Sequence, residues 1–126
     1  MIHIDTQIAI WTHLALRRKI SKTAQRALEN NPLVFSPILR LELNLLHEKG
    51  ILPASSPIAV IYDLIHDFGA SESQVELSHI VDIAADRVRW TRDPFDRLIV
   101  ANAIADNAKL VTADGEIIDH FGGAVW

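Results

Sequence analysis

The chain has no cysteine. That excludes a disulfide framework, a thiolate nucleophile and a Cys-based zinc site, so any metal must be held by oxygen or imidazole. The six histidines do not form a zinc site either, because none are spaced as paired ligands on one helix. Long apolar runs are missing too. Nothing approaches the roughly 18 consecutive apolar residues of a membrane helix, and Met1-Ile2-His3-Ile4-Asp5 lacks the basic start and long apolar stretch of a secretory leader. A soluble, cytoplasmic protein is expected. Proline and glycine are scattered as punctuation, and there is no linker, internal repeat or low-complexity tract.

What is present is enough apolar material for one core: 126 residues with 49% apolar composition predict a single domain over 1–126. Twelve Lys and Arg against sixteen Asp and Glu give a net charge of −4, which argues at first against a phosphate-rich partner. Distribution softens the objection. Five bases fall in the stretch from Arg17 to Arg26, and four more are Arg87, Arg89, Arg92 and Arg97. If four carboxylates are metal ligands, the remaining acids and bases balance at twelve each, and a bound divalent ion tips the site positive.

The elements alternate. Residues 1 to 5 read as an opening strand, and Ile8, Trp11 and Ala15 space a helix from Thr6 to about Leu16. Ser21 caps a second helix, Lys22 to Asn30, and Leu33-Val34-Phe35 reads as a buried strand. Ser36-Pro37 then opens a helix to Gly50, and Ser56-Pro57 another to near Gly69. A weak strand is expected at Gln74 to Leu77, then a helix from Ser78 to Arg87. Asp93-Pro94 starts a further helix through about Asn107, Lys109 to Thr112 is a strand, and Gly-Gly-Ala-Val-Trp supplies the last one. Strands separated by helices predict an α/β fold, a three-layer α/β/α sandwich around a parallel sheet.

In such sheets ligands bind beyond the carboxyl ends of the strands. Asp5 ends the first strand and Asp114 closes Leu110-Val111-Thr112-Ala113-Asp114, although an Asp in either place is also a good helix cap or turn residue. Glu42 stands in an apolar stripe, with Ile38, Leu39, Leu45 and Leu46 at helical neighbour spacing and no base among them. An ionised carboxylate buried there needs a partner, and a cation is the best candidate. In Arg92-Asp93-Pro94-Phe95-Asp96-Arg97, Asp93 suits the cap. Asp96 suits the first helical turn, where an acid contributes about 0.3 to 1 kcal/mol, and it can also turn inward. Converging carboxylates repel one another, and a divalent cation makes their proximity tolerable. Oxygen donors alone favour Mg²⁺ or Mn²⁺, suited to activating water against a phosphodiester.

The chain resembles a PIN domain of the VapC-type toxin group nearly end to end. The resemblance is carried by Ile4-Asp5-Thr6, Ser36 and Glu42, Trp90 to Ile99 with its Asp-Pro-Phe-Asp-Arg core, Val111-Thr112-Ala113-Asp114, and Val125-Trp126. It implies an acidic quartet at Asp5, Glu42, Asp96 and Asp114 that binds Mg²⁺ or Mn²⁺ and cleaves RNA. Thr112 orders the site, with Asp93 and Thr6 in support. Arg17, Arg18, Lys22, Arg92 and Arg97 are the candidate RNA contacts. The implied partners are RNA (tRNA or rRNA), a small cognate antitoxin and a second copy of the chain. Gln7 stands where Asn or His is common and Ala113 where Arg is frequent.

Three alternatives compete. A haloacid-dehalogenase-like phosphatase wants Asp-x-Asp after the first strand, where this chain reads Asp5-Thr6-Gln7. A receiver domain needs a phosphoacceptor Asp that Leu33 to Ser36 does not offer. A non-catalytic PIN-like interaction module would keep the acids only as caps and surface charge.

Overall fold

The computed structural model describes residues 1–52 and 55–126. Strands β1 (Ile2–Ile4), β2 (Leu33–Phe35), β3 (Ser71–Glu72), β4 (Lys109–Val111) and β5 (Ala124–Val125) form one parallel sheet in the order β3-β2-β1-β4-β5. Parallel neighbours need long crossovers, and helices supply them. They are α1 (Thr6–His13), α2 (Lys22–Asn30), α3 (Ile38–Glu48), α4 (Pro57–His66), α5 (Leu77–Arg87), α6 (Pro94–Ala105) and α7 (Gly115–His120).

Alternation along the strands splits the core in two. Ile2, Ile4, Phe35 and Val111 join a cluster with Ile8, Leu39, Leu43, Val60 and Leu64. On the other side Leu110 joins Ile80, Ile99, Val100 and Ile117. Each such side chain, fully buried, stabilises by about 1.5–3 kcal/mol. The result is the three-layer arrangement with helices on both faces of the sheet.

The sequence boundaries need four corrections. Helix α1 stops at His13, short of Leu16, because Ala15 adopts a left-handed backbone (φ 56°) and a 3₁₀ turn at Arg17–Lys19 follows. Asn107 (φ 52°) ends α6 in the same way, with Ala105 as its last residue. Gln74 to Leu77 is not a strand. Edge strand β3 lies earlier, with Ser71 and Glu72 paired to Val34 and Phe35. Beyond it Ser73 donates its amide to the Phe35 carbonyl and its hydroxyl to Asp106. Finally, α7 was not foreseen; Asp114 starts it by accepting from the amides of Glu116 and Ile117. Ser21 and Ser56 do cap α2 and α4 as expected.

The chain winds from β1 outward to β3, then returns to add β4 and β5 on the opposite flank. That reversal beside β1 opens a crevice at the carboxyl ends of β1 and β4, the usual ligand position in such sheets.

Candidate active site

The crevice is a cleft of about 370 Å³ lined by Asp5, Thr6, Gln7, Trp11, Glu42, Leu46, Asp96, Ile99, Ala113 and Asp114. All four acids singled out in the sequence therefore share one cavity. Each comes from a different element. Asp5 leaves β1 and caps α1, accepting from the Ile8 amide at 2.9 Å. Asp114 follows β4 and caps α7. Asp96 lies in the first turn of α6, and Glu42 lies midway along α3 between the buried Leu39 and Leu43.

Thr112 links two of them. Its buried hydroxyl donates to Asp5 Oδ2 and accepts from the Asp114 amide at 3.1 Å. Asp93 is an exposed cap, accepting from the Phe95 and Asp96 amides at 2.9 and 3.1 Å. It thereby fixes the helix start that carries Asp96.

A sequence model of the PIN domain matches residues 2–122. The chain belongs to the PIN domain family. A chain of the crystal structure of VapBC2 from Rickettsia felis, bound to a DNA fragment from their promoter, superposes with a TM-score of 0.62 at 17% identity. The match covers 96% of this chain and 94% of that one. A toxin-antitoxin complex from Klebsiella pneumoniae gives the same score and identity, covering 100% and 97%. At that identity the likeness is one of fold. No curated protein matches this chain.

In this PIN domain the crowding of acids appears in their proton affinities. Burial pushes the Asp5 carboxyl up to about 6; the hydrogen bonds from Thr112 and Ile8 oppose the rise, and the charges of Glu42 and Asp114 add to it. Asp96 is pushed up to about 7, by burial first and then by the charges of Asp93, Asp114, Glu42 and Asp5. Burial also raises Glu42, opposed by the nearby Thr6 hydroxyl. That proximity falls short of a settled hydrogen bond, since Thr6 Oγ1 is buried with no partner within bonding geometry.

A hard divalent cation suits these donors. The ligands are oxygens, their mutual repulsion wants a positive charge, and the orphaned Thr6 hydroxyl is free for a water or phosphoryl oxygen. Among the described residues no three acids stand close enough to make a ready-formed chelate. Mg²⁺ tolerates such spacing, because it keeps several waters and takes only one or two carboxylates directly.

The expected RNA contacts separate. Arg17, Arg18, Lys22 and Arg92 are exposed. Arg97 is turned away, its guanidinium donating to the Ala84 carbonyl at 3.2 Å between α6 and α5. The sequence reading also missed Trp11 as a wall of the cleft; its place in the apolar spacing of α1 had marked it only as a core residue.

Proposed function

We propose that this chain is a Mg²⁺- or Mn²⁺-dependent endoribonuclease, the toxin of a type II toxin-antitoxin pair. The observation that carries the reading is the convergence of Asp5, Glu42, Asp96 and Asp114 in one cleft where the sheet order reverses. Membership of the PIN family supports nuclease chemistry, and two structural likenesses to toxin-antitoxin assemblies support the biological role.

Asp5, Glu42, Asp96 and Asp114 would hold the ion, one or two of them directly and the others through its waters. Bound there, it would acidify a water for in-line attack on a phosphodiester and neutralise charge on the phosphoryl oxygens. The chain's own residues set the geometry. Thr112 and the Ile8 amide fix the Asp5 carboxylate in one orientation. Thr6 offers a hydroxyl to the substrate or to water, and the Gln7 amide at the lip can donate to a phosphate oxygen. The partners of such a toxin are RNA, a small antitoxin that silences it and a second copy of itself.

The test is to map new RNA 5′ ends in cells after induction, with Asp96→Asn as control. New ends with the wild-type chain only would support the reading, and identical maps would overturn it. Calorimetry with Mn²⁺ addresses the rival reading, since a non-catalytic interaction module would give no heat at near-stoichiometric metal.

A further inference from the structure

Next to the acidic cleft lies a larger hollow of about 480 Å³, between the end of α1, the later part of α2 (Gln25, Leu28, Glu29), Leu33 and Phe68. Trp11 lines both cavities and forms the partition between them. Its ring is only partly buried. Lys19 Nζ stands 5.8 Å from its centroid, and the ring of Trp126, itself 38% exposed, tilts at 43° with centroids 6.3 Å apart.

Two further features suit a polar occupant of the hollow with phosphates beside it. Thr12 lines the hollow, and its hydroxyl is buried with no hydrogen-bond partner, an arrangement that a bound ligand's donor or acceptor would complete. Arg17 and Glu29 pair with each other at the same wall, while Arg18 and Lys19, exposed and in no ion pair among the described residues, line a shallower hollow alongside. Aromatic faces flanked by cations are how proteins hold single-stranded nucleic acid: bases stack on the rings while the cations follow the phosphates.

We propose that the hollow seats a nucleobase of the single-stranded RNA, stacked on Trp11 and bonded by Thr12, with Lys19 and Arg18 along its backbone. The strand then passes over the Trp11 partition, which places a neighbouring phosphodiester at the acids. This rests on the nuclease reading above, and it adds which part of the substrate binds where. Preference for unpaired RNA follows, because a base in a duplex presents no free face to the ring.

The experiment measures the binding of a short, labelled single-stranded RNA to Asp96→Asn protein, and the kcat and KM of cleavage in the otherwise wild-type protein. Trp11→Leu should weaken binding to the Asp96→Asn protein and raise KM about tenfold or more. Trp11→Phe, which keeps a stacking face, should recover most of the loss. Lys19→Ala should weaken binding and flatten its salt dependence. In case Trp11→Leu misfolds, a Trp90→Phe background leaves Trp11 and Trp126 as the only tryptophans. Their emission should then be quenched saturably by the RNA.

RNA that binds without quenching, a folded Trp11→Leu protein with unchanged KM, or no RNA binding at all would overturn the seat. Cleavage with unchanged KM would leave the nuclease reading intact. Binding and quenching without any cleavage would sink the nuclease reading and leave the seat standing.

Discussion

Thr112 holds two strands and two acids together through one hydroxyl, donating to Asp5 and accepting from the Asp114 amide. Thr112→Val keeps the shape and removes both bonds, leaving a buried carboxylate and an amide short of a partner. Such a loss costs on the order of 1–3 kcal/mol. We expect a lower urea midpoint together with a ten- to hundredfold weaker Mn²⁺ affinity, in the range usual for residues that orient metal ligands. Unchanged metal binding by calorimetry would show that Asp5 does not depend on this brace. Ala15 offers the opposite case. Its left-handed φ of 56° is unfavourable for a residue with a Cβ, so Ala15→Gly should raise stability by about 0.5–1 kcal/mol, read as a higher melting temperature. Glu42 was the site residue most legible in the sequence, because a lone acid in an apolar stripe demands an explanation. The orphaned hydroxyls of Thr6 and Thr12 were not legible, since nothing local in a sequence shows which hydroxyl will lack a partner.

Among the elements, those with a strong period or a Ser-Pro or Asp-Pro start were readable, as α2, α4 and α6 show. Strand β3 was not. It is two polar residues at the sheet edge, and only its pairing to Val34 and Phe35 defines it. Short, charged edges discourage stray pairing, and for the same reason they carry no apolar alternation to read. Helix α7 escaped because six residues hold too few turns to show a period, and Asp114 had been weighed as a ligand and as a cap without its helix being traced. That dual role is testable. Asp114→Asn keeps the capping oxygen and should fold nearly as well as the wild type. Asp114→Ala should lose about 1 kcal/mol of stability by denaturant titration. Both should lose metal affinity, so equal stability of the two variants would mean that the cap contributes nothing.

For the molecule as a whole, the raised acids link folding to pH. Unfolded Asp ionises near 3.8, whereas in the fold Asp5 holds its proton to about 6 and Asp96 to about 7. The folded state therefore binds more protons across that window, and metal-free stability should fall as pH rises through it. His3 acts in the opposite sense: burial lowers its imidazole below 6.5, so its contribution is lost as pH falls below that value. Comparison with Asp96→Asn separates the two. The gap between the apo variant and the wild type should be smallest near pH 4, about where unfolded Asp ionises, and should widen as pH rises. At pH 8 the variant should be more stable by about 1 kcal/mol, a few degrees, after allowing for the partial exposure of Asp96. Mg²⁺ should raise the wild-type melting temperature more at pH 8 than at pH 5, because the ion competes with protons for the same oxygens. A Mg²⁺ effect independent of pH would argue that the ion binds elsewhere. The strand order β3-β2-β1-β4-β5 places all of this at one edge, and the two acids that end strands showed that edge before any coordinates did.

Asp5 and Asp114 begin helices as well as facing the cleft, whereas Glu42 and Asp96 cap nothing. An inactive mutant made by truncating either of the first two would confuse a lost reaction with a frayed scaffold. The informative dead enzyme, for toxicity assays or for trapping a substrate, is one altered at position 96 or 42, where no helix cap is lost with the carboxylate.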